Sequence, residues 1–306
     1  MDRWRLKGYL GDNVERKHIL VSETNIARCY GLPKIHKNDY PLRLVVSNVD
    51  SPKCKLSKIL EQILTKSIIK PDSHIKNTWQ FKESIQNLKI PPDHIMVSFD
   101  VVSMFPSIPL DLIKKSIISN WKEIEKHTKI PQKEFLKAID FLINSTYFKF
   151  NNKFYKQIFG MAIGDSSSPI LGDLVFYELE KHIFKKFDSS LVYYGRYVDD
   201  TFLIIPKNKL LEIFKEFNDY HPRIKFTYEV EQKYKINFLD LTIYRNNDGT
   251  ICTNWYRKNT YSGRFLNYLS CHPYHQKISL VKNLTDRAIK LADKKFHKEN
   301  INIIKK

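Results

Sequence analysis

Asp199 and Asp200 lie side by side in Gly195-Arg196-Tyr197-Val198-Asp199-Asp200-Thr201-Phe202-Leu203-Ile204-Ile205, with apolar β-formers on both sides. Adjacent carboxylates at a tight turn repel each other and desolvate poorly, and a divalent cation offsets that cost. A polar hairpin tip is the ordinary explanation of an Asp-Asp pair. A third carboxylate shifts the balance, because Asp100 ends a second short apolar run, Ile95-Met96-Val97-Ser98-Phe99. Two strand ends that deliver three carboxylates to one point make a site for two Mg²⁺ ions, with Mn²⁺ a possible substitute. That arrangement serves phosphoryl and nucleotidyl transfer: one ion lowers the pKa of an attacking hydroxyl and the other neutralises triphosphate charge. Asp100 and Asp199 are the expected bridging ligands. Asp200 is expected to assist, since adjacent side chains at a turn point in different directions.

Other residues could serve the same chemistry. Phe105, five positions after Asp100, could press on a sugar C2′ and exclude a 2′-hydroxyl; a plain core ring is the alternative. Gly160-Met161-Ala162-Ile163-Gly164 would let backbone approach a base pair closely, or simply make a turn. Gln157 could hydrogen-bond an incoming nucleotide. Lys34 and Arg43, beside Pro33 and Pro41, could clamp a triphosphate, since the guanidinium fork matches phosphate oxygens. Further on, Trp255, Tyr256, Arg257, Lys258, Tyr261, Arg264, Phe265 and Tyr268 interleave charge with rings. That pattern suits phosphate tracking with stacking, or an ordinary basic surface over an aromatic core.

The elements that must position these residues follow from periodicity. Leu42 to Val46 reads as a strand. Helical spacing runs from Lys55 to Ile69 and is stopped by Pro71. Trp79 to Leu88, Leu110 to Ile124 and Phe135 to Ile143 also read as helices. Phe148 to Tyr155 alternates around Asn151-Asn152, a hairpin signal. Ser168 is expected as an N-cap and Pro169 in the first turn, opening a helix with Ile170, Leu171, Leu174, Val175 and Leu179 on its buried face. After the Asp199-Asp200 hairpin come a helix over Lys209 to Phe217 and strands near Ile224 to Val230 and Phe238 to Tyr244. A basic helix starts at Ser279. The order predicts an α+β fold, with the acids on an antiparallel sheet and helices on its other face.

At 306 residues the chain is long enough for one large domain or several lobes. Its 51 basic and 33 acidic residues give a net charge of +18, which points to a polyanionic partner, nucleic acid first. No apolar run is long enough for a membrane span, and Met1-Asp2-Arg3-Trp4-Arg5 lacks the apolar core of a signal peptide. The reading is therefore intracellular, with no membrane partner. Cys29, Cys54, Cys252 and Cys271 are scattered without a C-x-x-C pair, so neither a disulfide framework nor a structural zinc site is expected.

Taken in order, these segments resemble the reverse transcriptases of Penelope-like elements, relatives of telomerase. Gly31-Leu32-Pro33-Lys34-Ile35-His36-Lys37 and Pro41-Leu42-Arg43-Leu44-Val45-Val46-Ser47 resemble that family's fingers motifs. Ser98-Phe99-Asp100-Val101-Val102-Ser103-Met104-Phe105 resembles its first metal-binding motif. Gln157, Gly160, Gly164 and Ser168-Pro169 match its template-and-nucleotide motif, and Arg196-Tyr197-Val198-Asp199-Asp200 its second metal motif. Asn237-Phe238-Leu239-Asp240-Leu241 resembles the primer grip, and Tyr256-Arg257-Lys258 the stretch leading to the thumb. One departure is Ile163-Gly164-Asp165-Ser166-Ser167, where the family has a further Ser-Pro-Leu.

The resemblance implies a right-hand polymerase fold: residues 1–94 as N-terminal segment and fingers, 95–245 as palm, 246–306 as a basic helical thumb. It implies RNA-directed DNA synthesis with an RNA template, a DNA primer and deoxynucleotides as partners, and work in the nucleus. Asp100, Asp199 and Asp200 would be catalytic. Lys34, Arg43, Phe105, Gln157 and Gly164 would bind nucleotide, while Tyr197, Phe238, Leu239, Arg257 and Lys258 would meet nucleic acid. Two rivals remain at this level: an inactive nucleic-acid-binding remnant of a mobile element, and a two-metal nuclease.

Overall fold

The computed structural model describes residues 2–10, 24–35, 39–258 and 260–305. His36 and Lys37 of the first fingers motif lie outside the described residues. The strands are β1 (Ala27–Pro33), β2 (Leu42–Val46), β3 (His94–Val101), β4 (Tyr147–Phe150), β5 (Lys153–Lys156), β6 (Tyr193–Tyr197), β7 (Asp200–Pro206), β8 (Phe226–Val230), β9 (Lys235–Phe238), β10 (Leu241–Arg245) and β11 (Ile251–Trp255). The chain divides into two compact units that interleave along the sequence. One comprises Met1–Pro71, Val101–Lys186 and Lys215–Phe226; the other comprises Asp72–Asp100, Phe187–Phe214 and Thr227–Lys306.

The first unit carries a sheet in the order β2-β1-β4-β5. β1 and β2 pair antiparallel, but β1 and β4 pair parallel, so the sheet is mixed rather than purely antiparallel. The expected hairpin forms at Asn151-Asn152, both at positive φ (45° and 59°), as a two-residue primed turn requires. The helix Cys54–Ser67 buries Leu56, Leu60 and Leu64, and extended Ile68 ends it before Pro71. Gln132–Asn144 buries Phe135, Ala138, Ile139 and Leu142. The single helix expected over Leu110 to Ile124 breaks at Asn120 into Leu110–Ser119 and Trp121–Ile124. Ser168 is not a cap but the first residue of the helix Ser168–Phe187. Its hydroxyl donates to the Ala162 carbonyl at 2.9 Å, and the Asp165 carboxylate accepts the Ser167 N–H at 3.1 Å.

The second unit is built on a sheet in the order β6-β7-β3-β8. The β3–β7 ladder is antiparallel and runs from His94 opposite Pro206 to Asp100 opposite Asp200. Side chains alternate along a strand, so Met96, Ser98 and Asp100 share a face with Ile204, Phe202 and Asp200. Away from the acids that face is covered. Met96, Phe202 and Ile204 are buried with Phe81, Ile236, Phe238, Leu241 and Ile243. Phe81, from the helix Thr78–Ile85, meets Phe202 edge-on at 5.3 Å between centroids and Phe238 at 4.8 Å. This corrects the expectation of helices confined to the far side: one helix packs on the acid-bearing face itself.

A second sheet in this unit runs β11-β10-β9. The strand expected over Phe238 to Tyr244 is instead a hairpin, with Phe238 opposite Leu241 and Leu239 at φ 52°. The basic helix begins at Tyr274 rather than Ser279 and runs to Lys290. A second helix, Lys294–Ile304, follows after Leu291-Ala292-Asp293. Leu284, Ala288 and Leu291 join the same core as Phe238.

Candidate active site

The acids are set by a two-residue turn. Tyr197 pairs with Asp200, leaving Val198 and Asp199 as the loop between β6 and β7. Val198 takes φ 57°, a region costly for an L residue and more so for a β-branched one. Such strain persists only where the surroundings over-determine it. Here Arg196 does so. Its side chain is buried, and Nη1 donates to the Val198 carbonyl at 2.8 Å. Its backbone is fixed as well: the Arg196 N–H donates to Ser73 at 2.7 Å, and its carbonyl accepts from Ile75 at 2.8 Å.

Two ladders then place Tyr197, Asp200 and Asp100 in one row across β6, β7 and β3. Residues directly opposite on antiparallel strands project from the same face. All three acids are part-exposed, and Tyr197 is exposed. The register puts Asp200, not Asp199, opposite Asp100, while Asp199 occupies the tip of the loop. The Asp100 carbonyl also accepts from Thr227 Oγ1 at 3.4 Å, which ties the end of β3 to β8.

An all-carboxylate set suits a hard divalent cation such as Mg²⁺. Among the described residues, no three His, Cys, Asp or Glu side chains converge closely enough to hold a metal ion. The residues therefore fit such an ion in donor type, with side chains not gathered around a common point.

The remaining candidates divide between the units. In the second, Phe238 is buried against Phe81 and Phe202, so its side chain serves the core and only its backbone and the Leu239-Asp240 turn are left for a ligand. Leu239 packs partly into that core. Asp240 is held by Arg287 at 3.5 Å and by Thr78 Oγ1 at 3.4 Å. The Arg257 guanidinium sits 4.7 Å above the Trp255 ring and reaches Asn300 Oδ1 at 3.4 Å, whereas Lys258 is exposed.

In the first unit, Arg43 is exposed on β2 opposite Leu32, and the Lys34 N–H donates to the Pro41 carbonyl at 2.9 Å. Gln157 Nε2 donates to the Phe159 carbonyl at 2.8 Å. The Phe105 carbonyl accepts from the Met161 N–H at 2.8 Å, and its part-exposed ring lies against Gly172, where a Cβ would come within 3.3 Å. Gly164 has φ 115°, and a Cβ there would meet the Val46 carbonyl at 2.4 Å. Its close approach is thus to β2 of its own unit.

Sequence reasoning missed the polar centre of this unit. Lys53 is buried, and its Nζ donates to Leu142 O at 2.9 Å and Thr146 Oγ1 at 2.6 Å while lying 3.2 Å from Asp165 Oδ2. Asp165 also accepts from Asn48 Nδ2 at 3.0 Å, from Ser167 Oγ at 2.9 Å and from Ser57. The one available signal was Asp165 itself, standing in the departure from the family pattern.

A mixed α+β fold with a carboxylate row at a strained hairpin defines a class, the right-hand polymerases. Residues 35–237 match the family model for reverse transcriptase (RNA-dependent DNA polymerase), and the chain belongs to that family. Residues 264–306, which include the two C-terminal helices, match the animal helix-turn-helix domain. Comparison with curated proteins finds no match. Among solved structures, apo telomerase from Candida tropicalis aligns at 15% identity and TM-score 0.57, covering 99% of this chain and 60% of that one. Telomerase from Candida albicans in complex with a fragment of telomeric RNA aligns at 12% identity and TM-score 0.57, covering 94% and 54%. The BmCPV RNA-dependent RNA polymerase at its elongation state aligns at 14% and TM-score 0.59, covering 98% and 27%. The chain thus spans between half and two thirds of the length of these telomerases. Such identities speak for the fold. No helix among the described residues is long and apolar enough to cross a membrane.

Proposed function

We propose that this chain is an RNA-directed DNA polymerase that adds deoxynucleotides to a primer 3′-hydroxyl along an RNA template. The observation that carries this reading is the row Tyr197–Asp200–Asp100 beside the Val198-Asp199 loop, within a chain of the reverse transcriptase family. Asp100, Asp199 and Asp200 would hold two Mg²⁺ ions, or Mn²⁺ in their place. When bound, such ions acidify the attacking hydroxyl and neutralise charge on the triphosphate.

The chain's own residues supply position. Lys34 and Arg43 hold triphosphate oxygens, Phe105 excludes a 2′-hydroxyl, and Gln157 and Gly164 border the nucleotide. Tyr197 and the backbone at Phe238 and Leu239 support the primer end, with Arg257 and Lys258 on the backbone of the duplex. In this reading residues 1–94 serve as fingers, 95–245 as palm and 246–306 as thumb. The motif set supports a Penelope-like retroelement origin and work in the nucleus.

Extension of oligo(dT) on poly(rA) by the purified chain, with and without Mg²⁺, tests the proposal. Nucleotide-dependent lengthening is expected. Binding without extension would assign an inactive remnant, and shortening of the primer would assign a nuclease.

A further inference from the structure

Leu56, Leu60 and Leu64 turn one side of the helix Cys54–Ser67 inward. The neighbouring stripe, Lys55, Ile59, Ile63 and Lys66, repeats at helical spacing and lines a trough of about 740 Å³. The rest of the lining comes from residues 125–130 and from Tyr9 and Leu10, all within the first unit. Both of these segments are held in place. Thr128 Oγ1 accepts the Ile130 N–H at 3.1 Å. The Tyr9 N–H donates to the Trp4 carbonyl at 2.9 Å, and the buried Trp4 donates through Nε1 to Glu134 at 3.4 Å.

The trough is amphipathic. Ile130 is buried at its floor, and Ile59, Ile63 and Leu10 are half-buried. Lys58, Lys66 and Lys129 are exposed on its walls, and none of the three has an ion-pair partner among the described residues. Lys126 is taken by Glu123 at 2.7 Å, which leaves Glu125 as the one acid on the described lining.

Unpaired cations select an anionic partner, and an aliphatic floor selects one that also carries apolar side chains. Nucleic acid meets only the first condition, because bases stack on rings and not on isoleucine. An acidic amphipathic helix meets both, with apolar anchors at i, i+4 and i+7 on the floor and carboxylates toward the lysines. Lys55 to Lys66 spans about 16 Å of helix, enough to lie along roughly three turns of a partner.

We propose that this trough docks an acidic amphipathic helix of a partner protein, with Ile59, Ile63 and Ile130 taking its apolar side chains and Lys58, Lys66 and Lys129 its carboxylates. None of the residues assigned to the polymerase site lines the trough, so the proposal stands whether or not the carboxylate row is catalytic.

The test is fluorescence anisotropy with the full chain and a labelled glutamate–leucine peptide of about 12 residues, its leucines at helical spacing. It should bind at least about tenfold tighter than an all-glutamate peptide of the same length. Lys58→Glu/Lys66→Glu should weaken it at least about tenfold and should bind a lysine–leucine peptide more tightly than the parent does. Lys185→Glu/Lys215→Glu makes the same change in net charge on helices that do not line the trough. It should stay within about twofold of the parent. Equal binding of the two acidic peptides, or an equal loss in both charge variants, overturns the proposal. So does oligouridylate binding that falls in Lys58→Glu/Lys66→Glu as far as peptide binding does, which would assign the trough to nucleic acid. A parent dimer, seen by sedimentation, that Lys58→Glu/Lys66→Glu abolishes would assign it to a second copy and overturn it too. Asp100→Asn, which tests the catalytic reading, should bind the peptide as the parent does, so the two readings fail separately.

Discussion

Arg196 holds the carbonyl of Val198 at 2.8 Å, and through it the backbone of the turn that carries Asp199. A buried guanidinium on a strained peptide is a positioning device, because a charge-assisted hydrogen bond is worth about 1.5–3 kcal/mol and αL costs a non-glycine residue about 1–2 kcal/mol. The bond and the strain are of the same size, so losing the bond frees the turn to relax. Arg196→Met should lower thermal stability. At temperatures well below its Tm it should still cut primer extension at least about tenfold, with primer–template affinity held. Parent-like extension in a folded Arg196→Met variant would remove Arg196 from the site.

Lys53 and Asp165 form a buried ion pair whose remaining valences are filled by Leu142, Thr146, Asn48 and Ser167. Removing one partner leaves the other charged and enclosed, at about 3–5 kcal/mol. Asp165→Ala should therefore shift the denaturation midpoint strongly. Equal stability of Asp165→Ala and the parent would contradict this account of the unit's interior.

The sequence made the acids legible because each stands at the edge of a short apolar run, and it made Asn151-Asn152 legible because that pair tolerates positive φ. It did not show the turn at Leu239, since an apolar residue at φ 52° has no local signature. That is why one long strand was expected where β9 and β10 form a hairpin. Nor did it show that Asp200 rather than Asp199 faces Asp100, because a one-residue difference in register is invisible to periodicity. The Lys53–Asp165 pair was hidden for another reason: nothing local to either residue announces a partner so distant in the chain.

Phe105 leans on Gly172 and remains part-exposed, so a smaller side chain there should open space without unfolding the helix beneath it. Under the proposed function, Phe105→Val should reduce discrimination against ribonucleotides at least about tenfold in single-nucleotide incorporation assays. Unaltered discrimination would return Phe105 to the role of a core ring.

A net charge of +18 predicts binding dominated by phosphate contacts. Titration of primer–template binding across salt should give a slope of log K on log salt near −0.9 for each duplex phosphate neutralised. A flat salt response would contradict a polyanionic partner.

The central claim is that Asp100 and the Asp199-Asp200 pair act as one catalytic group. Primer extension by Asp100→Asn and Asp199→Asn, each compared with the parent on one primed RNA template in Mg²⁺, tests it most directly. The account predicts that each single change lowers the rate at least about a thousandfold, with primer–template affinity preserved. Extension within about tenfold of the parent in either variant would contradict it.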